Sequence, residues 1–281
     1  MMKAITLSHE DRVYEVAKLV GEDSHGRYRL YRCRVPGVDR EYLLQIASEF
    51  KHNGSLDKAA FFLRELKRVA DELEAEYNRL EPGKMLNYHL SFPELVDSFV
   101  CEEQGNRRVN VLAFRNVDVI KRLVPIANIV EIDALRCDLR SSAWVMGKLL
   151  KILVLTQSMK VVINQVNGAN TLLDADQHYV VIFDWADSEI QSGEILAAVA
   201  RREIGNAAFT VIDLLGGDYK TRTFPEDESE SAAYAEYTAF LLGMADGHHK
   251  DAAKAHRDFY AVVDKYWSRE FYPFTTHPRS R

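Results

Sequence analysis

Between residues 12 and 47 apolar and polar positions alternate in short runs, the period-2 signature of half-buried strands. Residues 12–19 and 28–35 carry it, residues 21–26 break it, Pro36-Gly37 marks a turn, and residues 42–47 form a short apolar strand. The period then changes. After Asn53-Gly54-Ser55, apolar residues step by threes and fours through Ala59, Phe62, Leu66, Val69, Leu73 and Tyr77. Lys67, Arg68, Asp71 and Glu72 face the other way, which predicts one long amphipathic helix. Two more strands are expected at 95–101 and 108–114, joined by Gln104-Gly105-Asn106 as a hairpin turn.

Beyond Val117 the pattern is mostly helical. Ser141-Ser142 is the expected cap of a helix running to Gln157, and residues 161–174 and 178–185 are short apolar segments around a polar loop. Further helices are expected at 193–215, 229–244 and 250–267, with an acidic loop at Glu226-Asp227-Glu228. Strands with one inserted helix, followed by a helical half, give an α+β order. The expected division is an N-terminal lobe of residues 1–114, with a five-stranded antiparallel sheet and the long helix, and a C-terminal lobe of residues 115–281.

Composition narrows the function classes. Hydrophobic residues make up 47% and charged residues 28% of 281 positions, and the net charge is −6. That is the balance of a globular chain, with no bulk electrostatic attraction for nucleic acid or an anionic membrane. The N-terminal segment has no apolar core of the signal-peptide kind. The most apolar run, residues 149–163, is interrupted by Lys151, Gln157 and Lys160, so no membrane span is expected. Cys33, Cys101 and Cys137 are three widely spaced cysteines. They make neither a disulfide framework nor a zinc pattern, and a reducing, cytoplasmic setting is expected.

The segments in sequence order resemble a protein kinase. Leu19 to Gly26, with Gly21 and Gly26, stands where a kinase has its glycine-rich phosphate loop. Glu41-Tyr42-Leu43-Leu44-Gln45-Ile46 resembles the strand of the phosphate-binding lysine, with Gln45 at the lysine. Phe62-Leu63-Arg64-Glu65 resembles the helix that supplies its glutamate partner, with Glu65 at that position. Residues 161–173 resemble the catalytic loop, Val181-Ile182-Phe183-Asp184-Trp185-Ala186 the metal-binding DFG segment, and 203–218 the central helix of the C-lobe. A more distant similarity is to small-molecule kinases of the aminoglycoside-phosphotransferase type. The resemblance spans residues 12–218, and the collinearity of weak motifs carries it.

The departures bear on function. The resemblance places Gln165 where active kinases have the catalytic aspartate and Gln45 where they have the lysine that holds ATP phosphates. A glutamine is no general base, and such a base contributes about 10²–10⁴-fold. Glu22 and Asp23 put carboxylates into the phosphate loop. Two like charges about 4 Å apart repel by roughly 4 kcal/mol at an effective dielectric of 20. No Ala-Pro-Glu follows Asp184. Asn170 and Asp184 keep the two metal-binding positions, whose ordinary roles in a polar loop are turn formation and capping.

The expectation is therefore a pseudokinase: a regulatory or interaction module with no catalytic residues, no resident cofactor and a protein partner. The rival is a divergent transferase using ATP and Mg²⁺ through Asn170 and Asp184, with Asp187 as a substitute base. Trp144 and Trp185 read as core aromatics, and His248, His249 and His256 as surface histidines. The aromatic run Trp267 to Phe274 reads as a packed tail or, failing that, a partner surface.

Overall fold

The computed structural model describes residues 5–82, 86–225 and 231–279. They form two compact units, one of residues 1–122 with 184–188, the other of residues 123–183 and 189–281.

The first unit holds strands β1 (Ile5–His9), β2 (Arg12–Glu22), β3 (Tyr28–Arg34), β4 (Glu41–Ala47), β5 (Glu94–Cys101) and β6 (Arg107–Ala113), and helix α1 (Asn53–Leu80). All adjacent pairs are antiparallel, in the order β1-β2-β3-β4-β6-β5. The sheet has six strands because Ile5–His9 adds an edge to the five expected from the sequence. Alternation along β4 sends Leu44 and Ile46 into an apolar cluster with Leu7, Tyr14, Cys33, Phe99 and Val109. Ala47 instead meets Leu56 of α1. Helix α1 buries Leu56, Ala59, Ala60, Phe62, Leu63, Leu66 and Ala70, whereas Val69, Leu73 and Tyr77 of the expected stripe are only half-buried.

The second unit holds β7 (Val124–Pro125), β8 (Leu135–Cys137), α2 (Leu139–Ser158), β9 (Val161–Val162), β10 (Thr171–Asp174), β11 (Tyr179–Ile182), β12 (Glu189–Ile190), α3 (Ala197–Leu214), α4 (Ser231–Ala245), α5 (Ala252–Tyr266) and β13 (Thr276–Pro278). Helix α2 is buried nearly all round, as a central helix must be. Its cap is not the expected serine pair but Asp138, whose carboxylate accepts the Ser141 N–H at 2.7 Å. Ser142 lies inside the helix and turns its hydroxyl to Leu139 O and Tyr237. A carboxylate is the stronger acceptor at the positive helix end. Helix α3 begins at Ala197 rather than 193. The expected start of α4 and the acidic loop lie outside the described residues.

Candidate functional site

The turn between β2 and β3 is organised by one carboxylate. Asp23 Oδ2 accepts the N–H groups of His25 and Arg27, at 3.2 and 3.1 Å. Its backbone carbonyl accepts the Gly26 N–H at 2.8 Å. Gly26 sits at φ +66°, a left-handed conformation that glycine adopts without a Cβ penalty. The turn leaves Arg27 beside Asp23, with Nε 2.8 Å from Oδ2 and Nη2 3.1 Å from Oδ1.

The same guanidinium reaches residues 184–188. Arg27 Nη1 donates to Asp187 Oδ1 at 2.6 Å and Nη2 to Asp187 Oδ2 at 3.0 Å, a bidentate fork. Nη2 also stands 3.7 Å from Asp184 Oδ2. Asp184 accepts the Ala186 N–H at 2.9 Å and the Tyr28 hydroxyl. One cation thus faces three carboxylates.

The electrostatics follow from these contacts. Burial pushes the Asp23 carboxyl up, but its hydrogen bonds to Arg27 and the charge of that residue outweigh this and hold it below its ordinary value. Asp184 goes the other way: burial lifts it, and the Ala186 N–H, Tyr28 and Arg27 offset only part. Burial and the Asp184 charge also raise the Tyr28 phenol.

Beneath α1, Gln45 is 1% exposed and stands opposite Asn110 in the β4–β6 ladder. Asn110 Nδ2 donates to Leu56 O at 2.9 Å and lies 3.5 Å from Gln45 Oε1, while Ser98 donates to Asn110 Oδ1 at 2.8 Å. This is a neutral amide network.

In the second unit the loop after β9 is held by its own amides. Asn167 Nδ2 donates to Gln165 Oε1 at 2.8 Å, and Asn167 Oδ1 accepts the N–H groups of Ala169 and Asn170. Asn170 Nδ2 donates to the Gln165 carbonyl at 2.9 Å. At the loop's entrance Glu203, 1% exposed, accepts the N–H groups of Ile163 and Asn164, both at 2.8 Å. Its other oxygen is buried with no hydrogen-bond partner. Burial pushes the Glu203 carboxyl up to about 7 despite the two N–H donors.

No protein-family model and no curated protein matches the sequence. Solved structures do. The kinase domain of Mycobacterium tuberculosis PknI is similar with a TM-score of 0.53 and 14% identity, covering 94% of this chain and 99% of that one. Vaccinia related kinase 3 is similar with a TM-score of 0.57 and 13% identity, covering 94% and 91%. The fold is that of a protein kinase domain. At such identities the likeness speaks for the fold alone.

Within this kinase-like fold the two loop glycines differ. Gly21 lies in β2, and only Gly26 has the left-handed turn conformation. Glu65 bonds Arg68, with Oε2 at 3.0 and 3.2 Å, and its side chain is 36% exposed. Its charge is spent on the helix surface rather than on Gln45. Asp184 belongs to the first unit and Asn170 to the second. Among the described residues no three His, Cys, Asp or Glu side chains converge as a metal site, and no helix is long and apolar enough to cross a membrane.

The sequence pattern does not single out Arg27. The kinase resemblance sets the Asp23 charge against incoming phosphate, whereas the structure turns that carboxylate onto Arg27. The available signal was the Asp23–Arg27 spacing of four across a turn. Nothing in the sequence linked either residue to Asp187.

Proposed function

We propose that this kinase-fold chain is catalytically retired and works as a regulatory or protein-binding module. The observation that carries this reading is the Arg27 guanidinium among Asp23, Asp184 and Asp187. A fixed side-chain cation there supplies the positive charge that a divalent ion would otherwise bring to Asp184. Asp187, forked by the guanidinium, is a poor candidate for the substitute base. The neutral Gln45–Asn110 pair offers no cation to ATP phosphates, so the residues present fit neither ATP nor Mg²⁺ in the usual pose. The partner class is protein: with a net charge of −6, neither nucleic acid nor an anionic membrane is attracted. The three free, buried cysteines accord with a reducing, cytoplasmic setting.

The rival transferase has one observation in its favour. Asn170 is ordered by its bond to the Gln165 carbonyl, so the loop keeps a defined shape.

The test is a thermal-shift titration with ATP and Mg²⁺ or Mn²⁺, together with ATP turnover and autophosphorylation, on wild type and Asp184→Asn. The expected result is no saturable shift and no turnover in either protein. Turnover in wild type that vanishes in Asp184→Asn would establish the transferase instead.

A further inference from the structure

The second unit contains a cavity of about 250 Å³ that none of the kinase-like motifs uses. It lies between the N-terminal end of α2, the C-terminal half of α5 and residues 267–274, walled chiefly by Trp144, Tyr260, Trp267, Phe271, Tyr272 and Phe274. Its rings are positioned rather than loose. Trp144 lies 4.5 Å from the His178 ring, which stacks on Phe271 at 4.6 Å and 16°. Phe274 meets Trp144 edge-on at 6.1 Å, and the Tyr272 hydroxyl donates to Asp138 at 2.6 Å.

The charges around this aromatic wall are unequal in kind. Arg269 lies 4.9 Å over Tyr260, and Asp264 neutralises it through contacts of 2.6 and 3.0 Å. Arg140 lies 4.4 Å over Tyr272. Its bonds run through Nη2 alone, to Ser268 O, Ser268 Oγ and Glu270 O at 3.2–3.4 Å. Among the described residues no carboxylate pairs with it; Glu270, also in the wall, accepts from Ser268 instead. Lys148, one turn beyond Trp144 on α2, is lowered by burial with no acid offsetting it, and its charge lowers His178 further.

An incoming cation would meet guanidinium groups already lying over two of the rings. An aliphatic guest would leave the ring faces unused. A flat ring carrying an anionic group satisfies both: the ring packs on the aromatic wall, and a carboxylate accepts from Arg140 Nη1, which the bonds to Ser268 and Glu270 leave unused. The volume is below the roughly 300–1,000 Å³ of drug-sized sites, which fits one or two fused rings and not a nucleotide. We propose that this cavity is a binding site for a small planar aromatic carboxylate, with Arg140 as its anion partner and Trp144, Phe271 and Phe274 as its stacking surfaces.

The test titrates the full chain with indole-3-carboxylate, indole-3-carboxamide and tryptamine, read by calorimetry and protein thermal shift. The carboxylate should bind saturably and about tenfold or more tighter than the carboxamide, the margin of one charge-assisted contact. Tryptamine should bind weakest. Arg140→Met keeps an arm over Tyr272 and should reduce the carboxylate to the affinity of the carboxamide. Phe271 is 73% exposed, so Phe271→Ala should keep the fold and weaken both ligands alike. Absence of saturable carboxylate binding at millimolar concentration would overturn the proposal. So would equal affinity for carboxylate and carboxamide, a comparison made on wild type and independent of how any variant folds.

Discussion

Arg27 holds both oxygens of Asp187, at 2.6 and 3.0 Å, across 160 positions of sequence. The pair closes the β2–β3 turn onto residues 184–188 and brings the guanidinium to 3.7 Å from Asp184.

Removing that cation leaves three carboxylates facing one another. Arg27→Ala should destabilise the protein by about 3 kcal/mol in urea unfolding, the scale for stranding a partly buried ion-pair partner. An unchanged unfolding midpoint would show that the guanidinium contributes nothing net.

Gln45→Lys restores the residue type of active kinases but places an ammonium where the side chain is 1% exposed. Glu65 is engaged by Arg68 on the helix surface, so no acid awaits it. The expected outcome is a loss of several kcal/mol and no phosphotransfer, even combined with Gln165→Asp. A stable double variant that autophosphorylates would contradict this.

Glu203 gives a pH dependence with a definite sign. The folded state holds its proton to about pH 7, against 4.5 for the ordinary carboxyl, so between these values the folded state binds more protons. Its contribution is therefore fully present below pH 4.5 and is lost as pH rises to 7, by about 3 kcal/mol. Glu203→Gln keeps an oxygen for the Ile163 and Asn164 N–H groups. The stability difference between variant and wild type should shift in the variant's favour from pH 4.5 to 8. A pH-independent difference would place the carboxyl's titration elsewhere.

Deleting residues 268–281 tests the tail. Strand β13 pairs with β8, Thr275 N–H donates to Ser141 Oγ at 2.9 Å, and Phe271 stacks on His178. The tail is part of the second unit's packing, so the deletion should lower the melting temperature and expose Trp144 to fluorescence quenching. A full-strength fold after deletion would return the aromatic run to the role of a detachable partner surface.

What could be read from the sequence was periodic. Helix α1 and strands β2 to β6 announce themselves because each buries one face, and burial repeats with the element's own period. Five-residue β1 offers too few repeats to stand out, and its role depends on Tyr14 and Asp97 across the sheet: Asp97 accepts from the Tyr14 hydroxyl at 2.8 Å and lies 2.9 Å from His9 Nδ1. Trp185 is fully buried as expected, but Trp144 is only partly so and lines a cavity. The cap of α2 is ambiguous in sequence because Asp138 and Ser141 are both good cap residues, and only geometry selects Asp138. Arg27 was invisible for a different reason. An ion pair spanning 160 positions leaves no local trace.

The first unit closes only with residues 184–188, which include Trp185 at 0% exposure. A chain ending at residue 122 would lack a buried indole and the Asp187 counter-charge of Arg27. During synthesis, then, the N-terminal unit leaves the ribosome with Arg27 lacking its Asp187 fork and gains it only once Ser188 has emerged; domains that fold as units in order of synthesis face no such delay.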